Sequence, residues 1–169
     1  MTQLSSQPPA PHLDGTDLKI GIIVARFNWH ITGAMLQEAQ RTLRHLGVAA
    51  EDIAVRYAPG SFELPLIAQT LLRSGTYDAL ICIGCVMKGA TRHDVIVGDA
   101  AGQGIQQVAL NAGIAVIFGV ICAENQQQAE ERIVRGVECA EAAIEMARTL
   151  QTLKDNGGVE PLAAGLKGA

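Results

Sequence analysis

Gly84 to Asp99 reads G-C-V-M-K-G-A-T-R-H-D-V-I-V-G-D, and the fold follows from what flanks it. An apolar run, Ala79 to Ile83, leads in and is expected to stop at Gly84, while Gln103 to Leu110 on the far side has helical character. The stretch therefore reads as the end of a buried strand, a loop built on Gly89-Ala90-Thr91, and the start of a helix. An open α/β sheet binds ligands at such places, beyond the carboxyl ends of its strands and near helix N-termini with free N–H groups. Lys88, Thr91, Arg92 and His93 bring cationic charge, a hydroxyl and a side chain that titrates near neutrality to this loop.

Working outward, three more apolar runs repeat the pattern. Lys19 to Ala25 is continuous, as a strand covered on both faces requires, and ends at Arg26-Phe27-Asn28. Ile31, Met35, Ala39, Leu43 and Leu46 then recur at helical spacing up to Gly47. Asp52 to Tyr57 is a second strand closing at Pro59-Gly60, with Ser61 placed as an N-cap and Glu63 to Leu72 as the helix. Asp78 to Ile83 is the third strand and Ile114 to Ile121 the fourth. The last pattern predicts one long helix from Asn125 to Leu153, with room for a kink, because Arg132-Ile133-Val134-Arg135-Gly136 runs on without a break. Strands alternating with helices imply a parallel sheet. The expected architecture is a flavodoxin-like, three-layer α/β/α sandwich with a four-stranded parallel sheet and helices on both faces. Its single domain spans residues 18–154, with a proline-bearing arm (1–17) before it and a frayed tail (155–169) after it.

Composition narrows the function. The 169 residues are 49% hydrophobic but only 18% charged, so apolar surface is left over for a subunit interface. No run approaches the roughly 20 apolar residues of a membrane span, and a net charge of −4 without a basic cluster argues against nucleic acid. Cys82, Cys85, Cys122 and Cys139 all fall in apolar or helical segments, which implies buried, reduced thiols and a cytoplasmic location. Cys82 and Cys85 stand three apart on a strand and face opposite ways. No His, Asp and Glu set has metal-ligand spacing.

Candidate site residues gather at three strand ends: Phe27 after the first, Gly60-Ser61-Phe62-Glu63 after the second, Lys88 to His93 after the third. An aromatic ring there can stack on a flat ligand, and Glu63 can accept ring or sugar N–H and O–H groups. Each also has a structural reading, with Phe27 and Phe62 in the core and Glu63 a carboxylate favoured by the helix dipole. Their convergence favours a site. Among the histidines, only His93 joins a glycine-rich turn and a basic neighbour.

In order and spacing the chain resembles the 6,7-dimethyl-8-ribityllumazine synthase family over roughly residues 18–150. The matching pieces are R-F-N at Arg26–Asn28, P-G-S-F-E-L-P at Pro59–Pro65, G-C-V-M-K-G-A-T-R-H at Gly84–His93, V-I-F-G-V at Val116–Val120 and E-N-Q-Q-Q-A-E-E-R at Glu124–Arg132. The resemblance implies a transferase of riboflavin biosynthesis. It condenses 5-amino-6-(D-ribitylamino)uracil with 3,4-dihydroxy-2-butanone 4-phosphate and needs no metal or organic cofactor. It further implies that Phe27, Ser61, Phe62, Glu63, Cys85, Val86 and Met87 hold the uracil substrate. Ala90 and Thr91 would hold the phosphate and His93 would move protons. Phe118 and Arg132 would reach in from the neighbouring subunit, with Arg135 a further phosphate contact.

Two departures from the family pattern stand out. The family usually has an aromatic and then an acid after the histidine, whereas this chain has His93-Asp94-Val95. The link after Arg132 is shorter by about five residues. A lesser change is Lys88 where arginine is usual. These changes leave open a relative that binds a lumazine or flavin, or forms a shell, without turnover.

The resemblance implies pentamers with sites between subunits, and in some members shells of sixty chains, with a functional link to riboflavin synthase. Lone pentamer, pentamer pair and shell all remain compatible with the sequence. Light scattering on the eluting protein is expected to give the mass of five chains or a multiple of five; a monomer overturns the shared-site expectation.

Overall fold

β1 (Ile20–Ala25) is buried at every position, so it needs cover on both faces, and the chain supplies it by winding helices in two directions. In a computed structural model, which describes residues 7–156, β1 lies between β2 (Ile53–Ala58) and β3 (Ala79–Met87). β4 (Ala115–Ala123) completes a sheet of order β2-β1-β3-β4 in which every pair is parallel. The arm's residues 1–6 and most of the expected tail, residues 157–169, lie outside the described residues.

Among the described residues five helices cover the sheet: α1 (Trp29–His45), α2 (Leu64–Ser74), α3 (His93–Ala112), α4 (Gln126–Glu131) and α5 (Arg135–Asp155). One core joins Ile20, Ile22 and Val24 to Ile31 and Met35 of α1, Ala129 of α4 and Ile144 of α5. The other joins Ile23, Leu80 and Cys82 to Leu64 and Ala68 of α2 and Ala101 and Ile105 of α3. Strand alternation sends neighbouring side chains to opposite cores, as Ile22 and Ile23 illustrate. The expected three-layer, flavodoxin-like sandwich is the one observed.

The connections run from β1 outward to β2, then back across to β3. α1 therefore lies on one face and α2 and α3 on the other, as right-handed crossovers in opposite directions demand. The direction reverses between β1 and β3, and a crevice opens there at the carboxyl ends of the strands. At the amino ends, Lys19 and Asp78 exchange hydrogen bonds, Lys19 N to Asp78 Oδ2 at 2.7 Å and Asp78 N to Lys19 O at 2.8 Å. There too Arg148 of α5 donates to the carbonyls of Asp14 and Thr16.

Three expectations are corrected. The third strand does not stop at Gly84 but runs to Met87, because parallel pairing with β4 continues from Gly84 with Val120 to Met87 with Ala123. Here the glycine marks close packing: a Cβ at Gly84 would collide with Ser61 Oγ.

The long helix is in fact two. α4 ends at Glu131, and the backbone turns through Arg132, Ile133 and Val134 on bonds three residues back: Arg132 N to Ala129 O, Ile133 N to Glu130 O, Arg135 N to Arg132 O. Ile133 packs on the first core, and two adjacent β-branched residues favour a helix less than their neighbours do. The tighter turn redirects the chain so that α5 can lie against α1.

The third correction concerns the cysteines. All four are free, and Cys82, Cys85 and Cys139 are buried, but Cys122 near the end of β4 is exposed. Cys82 and Cys85 face different cores, as their spacing requires. Burial pushes the Cys82 thiol up to about 12, and chiefly the same cause lifts Cys85 and Cys139 to about 11.

α1 and α5 meet where Gly136 faces the Met35 carbonyl so closely that a Cβ has no room. Gly136→Ala is expected to destabilise the chain by about 1–3 kcal/mol through forced separation of the two helices. In a thermal melt this lowers the midpoint by several degrees; an unchanged midpoint overturns the packing assignment.

Candidate binding site at the switch point

The crevice between β1 and β3 is held open by an asparagine. Asn28 has φ +58°, in the left-handed region that asparagine tolerates better than most side chains. Its backbone carbonyl accepts from Ile31 N and Thr32 N and starts α1, while its Nδ2 donates to the Cys85 carbonyl at 2.8 Å. The side chain thus ties the exit of β1 to the end of β3. It also turns the preceding residue, Phe27, outward, and that ring is 71% exposed.

The exit of β2 supplies the second wall. Phe27 N donates to Pro59 O, which continues the sheet pairing past the strands. Ser61–Glu63 form a single 3-10 turn before α2. Ser61 is therefore not the N-cap of α2 as expected; it is buried, with Oγ packed at Gly84. Glu63 Oε2 accepts from Gly60 N at 3.1 Å, which fixes the carboxylate at the mouth of the turn. A Cβ at Gly60 would lie 3.0 Å from the Phe27 ring, so a side chain there would push the ring by a few tenths of an ångström. Phe62 is 57% exposed. The core reading of the two phenylalanines is thereby excluded.

The third wall is the end of β3 and the first turn of α3. Thr91 Oγ1 accepts weakly from His93 N at 3.4 Å. His93 opens the helix with its side chain exposed, and Asp94 behind it is half-buried.

These walls enclose one cavity of about 570 Å3, lined by Phe27, Asn28, Gly60 to Glu63, Cys85 to Met87, His93, Asp94, Ile96 and Val97. Eight of the expected site residues therefore meet: Phe27, Ser61, Phe62, Glu63, Cys85, Val86, Met87 and His93. Its size suits a small organic molecule. The charged groups on its wall are the carboxylates of Glu63 and Asp94.

The other expected residues do not line this cavity. Phe118 borders a second hollow of about 480 Å3, with Val86, Lys88, Asp94, Asp99, Cys122 and Glu124 around it. Ala90 and Thr91 lie on the exposed loop before α3. Arg132 is exposed at the end of α4 and donates to the Gln128 carbonyl at 2.8 Å, while Arg135 pairs with Glu138 at 2.8 Å. In the second hollow the Cys122 thiol is raised above its ordinary value, by partial enclosure first and then by the carboxylates of Asp94 and Asp99. Among the described residues no group of three or more His, Cys, Asp and Glu side chains could hold a metal ion, and no helix is long and apolar enough to cross a membrane.

Sequence reasoning did not place Asn28, Asp94, Ile96 and Val97 in the lining. Only Asn28 carried a signal, an asparagine directly after a buried strand and before a helix.

A parallel sheet with a ligand-sized cavity at its switch point, two aromatic faces turned to solvent and an imidazole at a helix start define an α/β protein that holds a small molecule. The sequence profile of 6,7-dimethyl-8-ribityllumazine synthase matches residues 17–151, and the chain belongs to that family. Membership carries with it riboflavin biosynthesis, small-molecule substrates and oligomeric assembly in general.

Asn28 gives the site its testable constraint. Asn28→Ala loses a hydrogen bond and leaves at φ +58° a residue that keeps its Cβ but has no polar group to bond locally, for a combined cost of about 1–3 kcal/mol. Asn28→Gly loses only the bond. Denaturant titration is expected to rank wild type above Asn28→Gly above Asn28→Ala; equal losses overturn the role of the left-handed backbone.

Proposed function

We propose that the protein condenses 5-amino-6-(D-ribitylamino)uracil with 3,4-dihydroxy-2-butanone 4-phosphate to 6,7-dimethyl-8-ribityllumazine. The observation that carries this reading is the meeting of Phe27, Phe62, Glu63 and His93 around one cavity in a chain of this family. An amine of the uracil attacks the ketone to form an imine with loss of water. Phosphate is then eliminated, and ring closure with loss of a second water gives the lumazine.

Phe27 offers its exposed face for stacking on the pyrimidine. Ser61, Phe62 and Glu63 address the uracil and the ribityl chain, and the backbone of Cys85, Val86 and Met87 completes that contact. Glu63 is held ready by Gly60 N, so little ordering is needed on binding. His93 relays protons during imine formation and elimination, a task for an imidazole, which can both give and take a proton. Holding two reactive substrates together supplies much of the remaining acceleration.

Phosphate calls for positive charge and N–H donors. Among the described residues, no lysine or arginine lines the cavity of one chain. Ala90 and Thr91 before α3 supply the donors of a helix start, and Arg132 of a neighbouring copy supplies the charge, with Arg135 near it. Phe118 of that neighbour closes the aromatic side. This arrangement makes the functional unit a ring of five copies, whether alone, paired or built into a shell, and makes riboflavin synthase the natural consumer of the product.

The test mixes the purified protein with both substrates and follows lumazine absorbance against a control without protein, since the pair condenses slowly unaided. Protein-dependent formation is expected. His93→Ala is expected to slow it about 10²–10⁴-fold while binding survives. Arg132→Ala is expected to raise the KM of the phosphorylated substrate about 10–100-fold. No acceleration, with product still bound, overturns turnover in favour of a binding or shell-forming relative.

A further inference from the structure

Two polar side chains on the wall of the switch-point cavity, and a third just outside it, are already engaged. Asn28 Nδ2 is held by the Cys85 carbonyl, Glu63 Oε2 by Gly60 N, and Thr91 Oγ1, just outside, by His93 N. Asp94 differs. It is half-buried, it borders both the cavity and the second hollow, and among the described residues no hydrogen bond or ion pair engages its carboxylate. Lys88, a cation beside it on the second hollow, reaches for Glu124 at 3.5 Å. An ionised group drawn partly out of water without a partner is unfavourable unless something else binds it.

On the reaction proposed above, two very different molecules must share this space. One is uncharged and rich in N–H and O–H donors; the other carries a phosphate. A free carboxylate accepts from the first and repels the second. We propose that Asp94 is a specificity-determining residue. Its carboxylate accepts an N–H or O–H from the ribitylaminouracil and keeps the phosphorylated substrate turned toward the other side of the helix start. Successive helical residues point about 100° apart, so His93 and Asp94 address different portions of the bound pair. The inference rests on the proposed reaction for the identity of the two molecules.

The experiment measures KM for each substrate with the other saturating, in wild type, Asp94→Asn, Asp94→Glu and Asp99→Asn. Asp99 sits on the second hollow but not on the cavity. Asp94→Asn is expected to raise KM for ribitylaminouracil about tenfold, the worth of one charge-assisted hydrogen bond. It should lower KM for the phosphorylated substrate about two- to threefold at low salt, a difference that fades as salt screens it. Asp94→Glu should recover some of the first effect, and Asp99→Asn should move neither constant.

Calorimetric binding of ribitylaminouracil alone separates this inference from the reaction itself. Absence of turnover in wild type would sink the proposed reaction, yet weaker binding of that ligand by Asp94→Asn would still assign the contact. Both KM values unchanged, both moved in the same direction, or a changed oligomer mass with unchanged KM would overturn it, leaving Asp94 a helix-start charge or an interface residue.

Discussion

The bond from Asn28 Nδ2 to the Cys85 carbonyl is the constraint on which the site depends. A parallel sheet whose connections reverse direction leaves a crevice outside the carboxyl ends of the two neighbouring strands. Without a cross-link the crevice would be a gap between loops of independent motion. The asparagine makes it a fixed angle, and in doing so exposes one ring, starts one helix and places the end of β3 opposite the exit of β1. Gly60 and Gly84 serve the same end by omission. Each removes a side chain so that Phe27 can lie on the β2 exit and Ser61 can lie under β3.

What one chain presents is half of a charge pattern. The cavity wall is acidic, with Glu63 and Asp94, while the arginines expected to matter lie beyond α4, at its C-terminus and at the start of α5. Arg132 rests on the carbonyl of Gln128 at its own helix C-terminus, a site that favours a cation but engages only a fraction of the guanidinium. On the proposed assembly, a cation from one copy meets an acidic cavity on the next. Such complementarity sets register between subunits more than it adds affinity. The exposed Phe118, Val95 and Ile96 beside these charges give the same surface its apolar content.

Much of this was legible in the sequence because short buried strands and amphipathic helices have different periods. The four strands, the parallel order of layers and the opposite facing of Cys82 and Cys85 followed from spacing alone. The cavity was legible where its lining residues sit at strand exits, since Phe27, Phe62 and Glu63, each with a structural reading of its own, converge there. What escaped had physical causes. Gly84 read as a stop, since a glycine in a strand marks either an end or a close approach, and only the position of Ser61 Oγ decides between them. Ser61 read as a cap because a hydroxyl before a helix usually is one. The turn at Arg132 to Val134 escaped because its hydrogen bonds shorten from four residues to three without any glycine or proline to mark the change. The role of Asn28 needed its φ angle, which no sequence states.

Arg148 offers a different kind of consequence. By holding the carbonyls of Asp14 and Thr16, while Gly15 N donates to Leu46 O, it clamps the chain at the amino ends of the strands, the pole opposite the cavity. Anything joined ahead of Asp14, such as a cargo domain, an affinity handle or a fluorophore, departs from that pole. The clamp thus fixes one point of entry: whatever precedes Asp14 meets the fold at its base, at the end away from the crevice.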